Sequence, residues 1–293
     1  MGEPLEGGRV RLSYSFERIH LQGMLVGSDH RSPSEARDKA FWNYTEIPRS
    51  QDISVHTFEL AYAPHPRITL VAELPFIVKD LERFDENDDR YHHQTEGVGD
   101  VGFYAIVPFI RKGLETSHVH FGFDAPTGSI RRGDTNPGRA PYDLQIGNGS
   151  VDLEWGWTYR GAWRFLSWGG QAMGRHPLDK NGLGYREGSR FNASVWGATR
   201  LLWGLSASLR FGWEKQNNIR SRDKGLDPIS EPSANAKARG GNRLDLSPGI
   251  AVEIPQLLHQ RLSIEVDVPV YQHLDGPQLE REWVVRAGWQ CIF

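Results

Sequence analysis

Carboxylates and guanidinium groups recur at every second position through long stretches of this 293-residue chain. Arg261, Ser263, Glu265, Asp267 and Pro269 alternate with Leu262, Ile264, Val266, Val268 and Val270. Ser206, Ser208, Arg210 and Gly212 alternate with Leu205, Ala207, Leu209, Phe211 and Trp213. On an extended strand such spacing puts one residue class on each face. A wall of ionised groups is suited to selecting and holding charged solutes by its field. The candidates for that chemistry are Arg11, Glu73, Asp100, His118, His120, Asp124, Asp152, Glu154, Arg160, Arg210, Asp245, Glu253, Glu265, Asp267 and Arg286. With Glu17, Glu59, Glu282, Arg200 and Arg261 on the same phases, carboxylates outnumber guanidinium groups, 12 against 6. That excess predicts a cation-leaning polar face.

The elements that must position these groups are strands. The alternation predicts twelve: 9–22, 53–63, 67–82, 99–111, 117–128, 147–160, 164–176, 190–203, 205–220, 242–255, 260–273 and 280–293. Short connections are expected at Pro64–Pro66, Lys112–Ser117, Gly161–Trp163, Gly204 and Gln256–His259. Long polar ones are expected at 23–52, 83–98, 129–146, 177–189, 221–241 and 274–279. An even strand count with short turns at one end and long loops at the other predicts an all-β, twelve-stranded antiparallel transmembrane β-barrel, its turns periplasmic and its loops extracellular. A soluble sandwich has no reason to segregate its connections this way. Residues 1–8 are expected as an N-terminal periplasmic segment and 9–293 as one barrel domain. Pro75, Pro108, Pro126, Pro248 and Pro269 fall inside these strands and are expected to mark bulges, bends or strand ends.

Composition supports the orientation of the two faces. Net charge is −3, too balanced for a nucleic-acid binder. One cysteine excludes an internal disulfide and a cysteine-based zinc site. Trp155, Trp157, Tyr159, Trp203, Trp213, Trp283 and Trp289 lie on the apolar phase, where amphipathic rings suit a membrane boundary. The apolar face therefore looks to lipid and the charged face to the lumen. Trp289 and the terminal Phe293 continue the apolar phase and resemble the signal read by barrel-assembly machinery. Met1-Gly2-Glu3-Pro4 opens no apolar run, so the chain is read as a mature outer-membrane protein of a Gram-negative bacterium without its signal peptide.

Several short motifs follow a recognisable order: Gly97-Val98-Gly99-Asp100-Val101-Gly102, Val107-Pro108-Phe109, Phe123-Asp124-Ala125-Pro126-Thr127-Gly128, and Leu144-Gln145-Ile146-Gly147-Asn148-Gly149-Ser150-Val151-Asp152. Together with Leu12-Ser13-Tyr14-Ser15-Phe16-Glu17-Arg18 and Gly23-Met24, they resemble the MetA-pathway of phenol degradation family of outer-membrane transporters. The resemblance implies a barrel that passes a small solute, an aromatic or other catabolic substrate. The histidine- and methionine-rich leader of some members is missing here.

No cofactor or metal is expected. Asp85-Glu86-Asn87-Asp88-Asp89 lacks the glycine and distal glutamate of an EF-hand and reads as a solvated loop. His118 and His120 share a face but have no further ligands in view. Catalysis on the lipid-facing wall would need a histidine on the apolar phase near a serine; His118 and His120 point inward, which argues against an enzyme. Expected partners are membrane lipid, lipopolysaccharide (against the basic stretch Arg220, Arg222, Lys224, Lys237, Arg239), the assembly machinery and a small solute. The alternative reading is a structural or partner-binding barrel with a plugged lumen, and after it a lipid-modifying enzyme.

Overall fold

The computed structural model describes residues 2–38, 42–85, 87–133, 138–254 and 258–293. The strands are β1 (Val10–Gly27), β2 (Asp29–Arg31), β3 (Ile47–His65), β4 (Ile68–Phe84), β5 (Arg90–Val98), β6 (Val101–Lys112) and β7 (Glu115–Ala125). Then follow β8 (Asp152–Trp163), β9 (Leu166–Pro177), β10 (Arg190–Arg200), β11 (Leu205–Gln216), β12 (Gly241–Ile254) and β13 (Gln260–Ile292). One short helix, α1 (Pro33–Arg37), sits in the first long loop, started by a reciprocal cap between Ser32 and Glu35.

All strands join one sheet, closed by pairing of β1 with β13 from Arg11↔Ile292 upward. The ring holds eleven strands; β2 and β5 lie off its path. The count of twelve is corrected at the last two expected strands, which form the single element β13. Every pairing around the ring is antiparallel, and an odd ring cannot close that way. β13 must therefore reverse direction within itself: residues 260–274 run along β12 and 274–292 along β1. The Gln272 side chain marks the fold-back, donating to the Arg281 carbonyl at 2.8 Å and accepting from its N–H at 3.0 Å.

Connections segregate by length between the two rims. Pro66–Arg67, Gly113–Leu114, Arg164–Phe165 and 201–204 turn at one rim; 126–151, 178–189 and 217–240 loop at the other. The expected turn Gln256–His259 falls partly outside the described residues, as does Glu86 in the acidic loop. The expected loop 83–98 is mostly strand: β4 runs to Phe84 and pairs with β5 from Phe84↔Arg90 to Phe76↔Val98. Leu81, Arg83, His93 and Thr95 are buried inward, yet the outward positions are Asp80, Glu82, His92 and Gln94. A strand standing clear of lipid has no oily face to read.

The faces sort as the alternation requires. Phe58, Leu60, Leu70, Phe103, Phe121, Trp157, Leu209 and Ile264 are exposed on the outer wall. Arg11, His118, His120, Asp124, Asp152, Asp245 and Asp267 are buried on the inner one. Closure pairs backbone groups that a hydrocarbon layer could not satisfy. Four of the five prolines fall where pairing breaks, shifts or ends, whereas Pro248 sits inside β12 opposite Leu209 with no register shift. Pro75 faces the break between β5 and β6, its carbonyl accepting from Gly99 N at 2.9 Å. Pro108 adjoins a register shift before Ile110, Pro126 follows the end of β7, and Pro269 sits at the shift after Leu244.

Candidate functional site: the lumen

The inner wall encloses two cavities. One, about 810 Å³, opens at the short-turn rim and is bordered by Glu3, Arg160, Arg200, Arg210, Glu253, Arg261 and Glu265 among others. The second, about 530 Å³, lies deeper; Glu17, Glu73, Asp100, Asp124 and Arg286 line it, and Ile146 and Asn148 of the loop 126–151 border it. Between them stands an ionic network. Arg210 contacts Glu265 and lies 2.9 Å from Asp267. Arg286 also binds Asp267 and holds Glu17 at 2.5 Å. Asp267 is thus shared by two guanidinium groups contributed by β11 and β13.

Two further networks brace the wall. Arg175 on β9 reaches Asp124 at 2.8 Å and Glu154 at 2.5 Å, while the Tyr104 hydroxyl donates to Asp124. Arg243 and Arg281 hold Glu214 at 3.2 and 3.3 Å, and Arg281 lies 3.4 Å from Asp245. Arg11 is fully buried against Glu59 at 2.9 Å and donates to the Glu3 carbonyl at 2.8 Å.

Both ends of the lumen are narrowed by chain that is not barrel wall. At the short-turn rim, residues 2–9 enter the cylinder. Leu5 packs against Ala61, Ala63, Val71, Tyr104 and Ile106; its N–H donates to Thr69 and its carbonyl accepts from Arg111, both at 3.0 Å. At the long-loop rim the described residues of the loop 126–151 fold inward. Leu144 and Ala140 pack on Leu81 and Leu279 of the wall. Thr95 donates to the Leu144 carbonyl at 2.7 Å and Lys79 to the Gln145 carbonyl at 2.6 Å. Tyr142 joins Tyr185, Ile219 and Ala236, drawn from the other two long loops, in an apolar cluster over the cavity. The fully buried Arg83 pins loop 217–240 through Glu231 at 3.1 Å.

The glycine-rich motifs meet at one carboxylate. Asp100 accepts from Gly128 N through Oδ1 and from Asn148 N through Oδ2, each at 2.8 Å. Thr127 donates to the Gly99 carbonyl at 2.7 Å. Gly128 and Gly147 touch so closely that a Cβ on Gly147 would lie 2.5 Å from the Gly128 carbonyl oxygen. Asn148 then donates to Asp152 at 2.5 Å. These three motifs are a clasp that holds the loop inside the barrel.

The expected lining residues divide accordingly. Glu73, Asp100, Asp124 and Arg286 border the deeper cavity; Arg160, Arg210, Glu253 and Glu265 border the outer one. Arg11, His118, His120, Asp152, Glu154, Asp245 and Asp267 face inward but border neither cavity. His118 and His120 are buried within the wall, and a Cβ on Gly156 would lie 2.0 Å from the His120 ring. Trp289 points outward beside Leu12, Tyr14 and Phe58, and Phe293 closes the seam by exchanging backbone hydrogen bonds with Val10.

The carboxylate excess expected of the inward face does not carry over to the borders of the two cavities. Among the described residues the deeper cavity has seven acids (Glu17, Glu73, Asp100, Asp124, Asp143, Glu187, Glu214) and seven bases (Lys79, Arg175, Arg190, Arg239, Arg243, Arg281, Arg286). The outer one is bordered by Glu3, Glu253 and Glu265 against Arg160, Arg164, Arg200, Arg210 and Arg261. Two missed groups were on the inward phase: Glu214 with Arg210, and Arg243 with Asp245. Arg281 was hidden by a bulge. Its partner is Leu21 whereas Trp283 pairs with His20, so Glu282 is extruded outward and Arg281 turns in. In loop 178–189, burial raises the Glu187 carboxyl above its ordinary range, opposed by Arg190, Arg239 and Lys79.

His176 and Ser189 form a pair that sequence reasoning missed, Nδ1 and Oγ 2.7 Å apart near the long-loop rim. Arg175 faces the lumen, so its neighbour His176 is on the outward phase.

No family model matches this sequence, and no curated protein matches it. Solved structures do. An outer membrane channel from Pseudomonas putida F1 is similar at a TM-score of 0.66 and 12% identity, over 99% of this chain and 97% of that one. The transport unit of the autotransporter AIDA-I from Escherichia coli is similar at 0.53 and 6% identity, over 97% and 89%. The beta domain of the Bordetella autotransporter BrkA is similar at 0.50 and 13%, over 98% and 100%. The chain has the fold of outer-membrane β-barrels.

Proposed function

We propose that this protein is an outer-membrane channel of a Gram-negative bacterium. Its solute is small, and its selectivity is set by the charged lumen. The observation that carries the reading is the pair of cavities, about 810 and 530 Å³, in a cylinder with an oily outside and an ionic inside. The ionic network on Asp267 and the inward-folded segments narrow the path between rims. The resemblance to the MetA-pathway family supports an aromatic or catabolic solute, and the similar Pseudomonas putida F1 channel supports passage as the activity. The short-turn rim is periplasmic in this reading. Lipid covers the exposed apolar wall in this reading.

Liposome swelling tests it: vesicles carrying the refolded protein should admit small solutes faster than empty vesicles. Equal rates would reject the channel and favour the plugged, partner-binding barrel. The His176–Ser189 pair favours a second reading as a lipid-modifying enzyme. Ester hydrolysis in detergent that disappears in Ser189→Ala would establish it.

A further inference from the structure

Three cations reach the deeper cavity without a carboxylate of their own. Among the described residues, Arg190 at the start of β10, Arg239 in loop 217–240 and Lys79 on β4 border the cavity, and none makes an ion pair. Lys79 spends one donor on the Gln145 carbonyl and has two left. Arg190 and Arg239 are near enough for their charges to act on Lys79, and the carboxylates of Asp143 and Glu187 stand within the same range. Other guanidinium groups of the cavity, Arg175, Arg243, Arg281 and Arg286, are each bound to carboxylates. Beside Lys79 the inner wall turns oily. Ile53 pairs directly with Lys79 and Val55 with Ile77, and all three apolar residues line the cavity.

We propose that this part of the lumen is a binding site for an organic monocarboxylate with a compact apolar body. The carboxylate lies among Lys79, Arg190 and Arg239, and the body rests on Ile53, Val55 and Ile77. A volume of about 530 Å³ is in the range of small-molecule sites. Inorganic anions would satisfy the cations but leave the apolar panel wet; uncharged solutes would do the reverse. Guanidinium matches a carboxylate by a two-pronged hydrogen bond, which fixes the head group. The site rests on the channel reading, as a station along its path.

Calorimetric titration of the full chain in detergent with cyclohexanecarboxylate tests this, with cyclohexanecarboxamide and inorganic phosphate as controls. The carboxylate should bind at least about tenfold more tightly than either control. The double variant Arg190→Gln/Arg239→Gln should lose about tenfold or more in carboxylate affinity, with amide binding unchanged. Glu187→Gln, which removes a competing negative charge, should tighten binding, and it keeps the test open if the double variant does not fold. A carboxylate bound no better than phosphate or amide, or no response in folded variants, overturns the site. Solute flux without carboxylate binding overturns the site alone; binding without flux supports the site and overturns the channel reading.

Discussion

Asp100 is one residue doing the work of a hinge pin. Its two oxygens satisfy the Gly128 and Asn148 N–H groups, 28 and 48 positions away. Bonds of this charge-assisted kind are each worth about 1.5–3 kcal/mol. Asp100→Ala therefore frees loop 126–151, and limited proteolysis should cut that loop faster with the barrel otherwise intact. Gly147→Ala should do the same by steric means, because its Cβ has no room against Gly128. Gly170→Ala is the control: its nearest neighbour would be 3.6 Å away, so stability should change by no more than about 0.5 kcal/mol. Asp267→Asn removes the charge that two arginines share. Reversal potential in a salt gradient should move toward anion preference; a move toward cations would contradict the network's placement between the cavities.

At the scale of elements, the segment 2–9 is held chiefly by Leu5, which is buried among five wall residues. Leu5→Ala should weaken its docking by about 2–3 kcal/mol, and protease should then release the segment from the folded barrel. Unchanged cleavage would show that Glu3, through Arg11 and Arg160, suffices to anchor it. Much of the wall was legible from residue order. The outward phases of β3, β6, β7 and β11 follow from alternating Phe, Leu, Val and Trp. What failed to show had local causes. β5 carries polar residues on both faces, so nothing distinguished it from a loop. The segment expected as strand from residue 147 begins only at Asp152, because Gly147-Asn148-Gly149 is committed to the clasp. The extrusion of Glu282 inverted the phase of Arg281. The inward fold of the long loops depends on partners dozens of residues away, which periodicity cannot express.

Taken as a whole molecule, the barrel places its charges where they cost least. Lipid offers nothing to pair an ion with, whereas inside the cylinder each buried carboxylate of the networks meets an arginine. Seven acids against seven bases in the deeper cavity leave the field to be decided by which groups are already paired. Arg175, Arg243, Arg281 and Arg286 are; among the described residues Lys79, Arg190 and Arg239 are not. Among the described residues Glu73, Asp100, Asp143 and Glu187 make no ion pair either, so the cavity as a whole stays balanced, and the clasp on Asp100 holds the loop that narrows it. Single-channel recording in planar bilayers, with the wild type and Asp100→Ala side by side, measures this directly. Small discrete current steps are expected from the wild type and larger ones from the variant. Silent bilayers from both proteins, each verified as a folded barrel, would contradict the account.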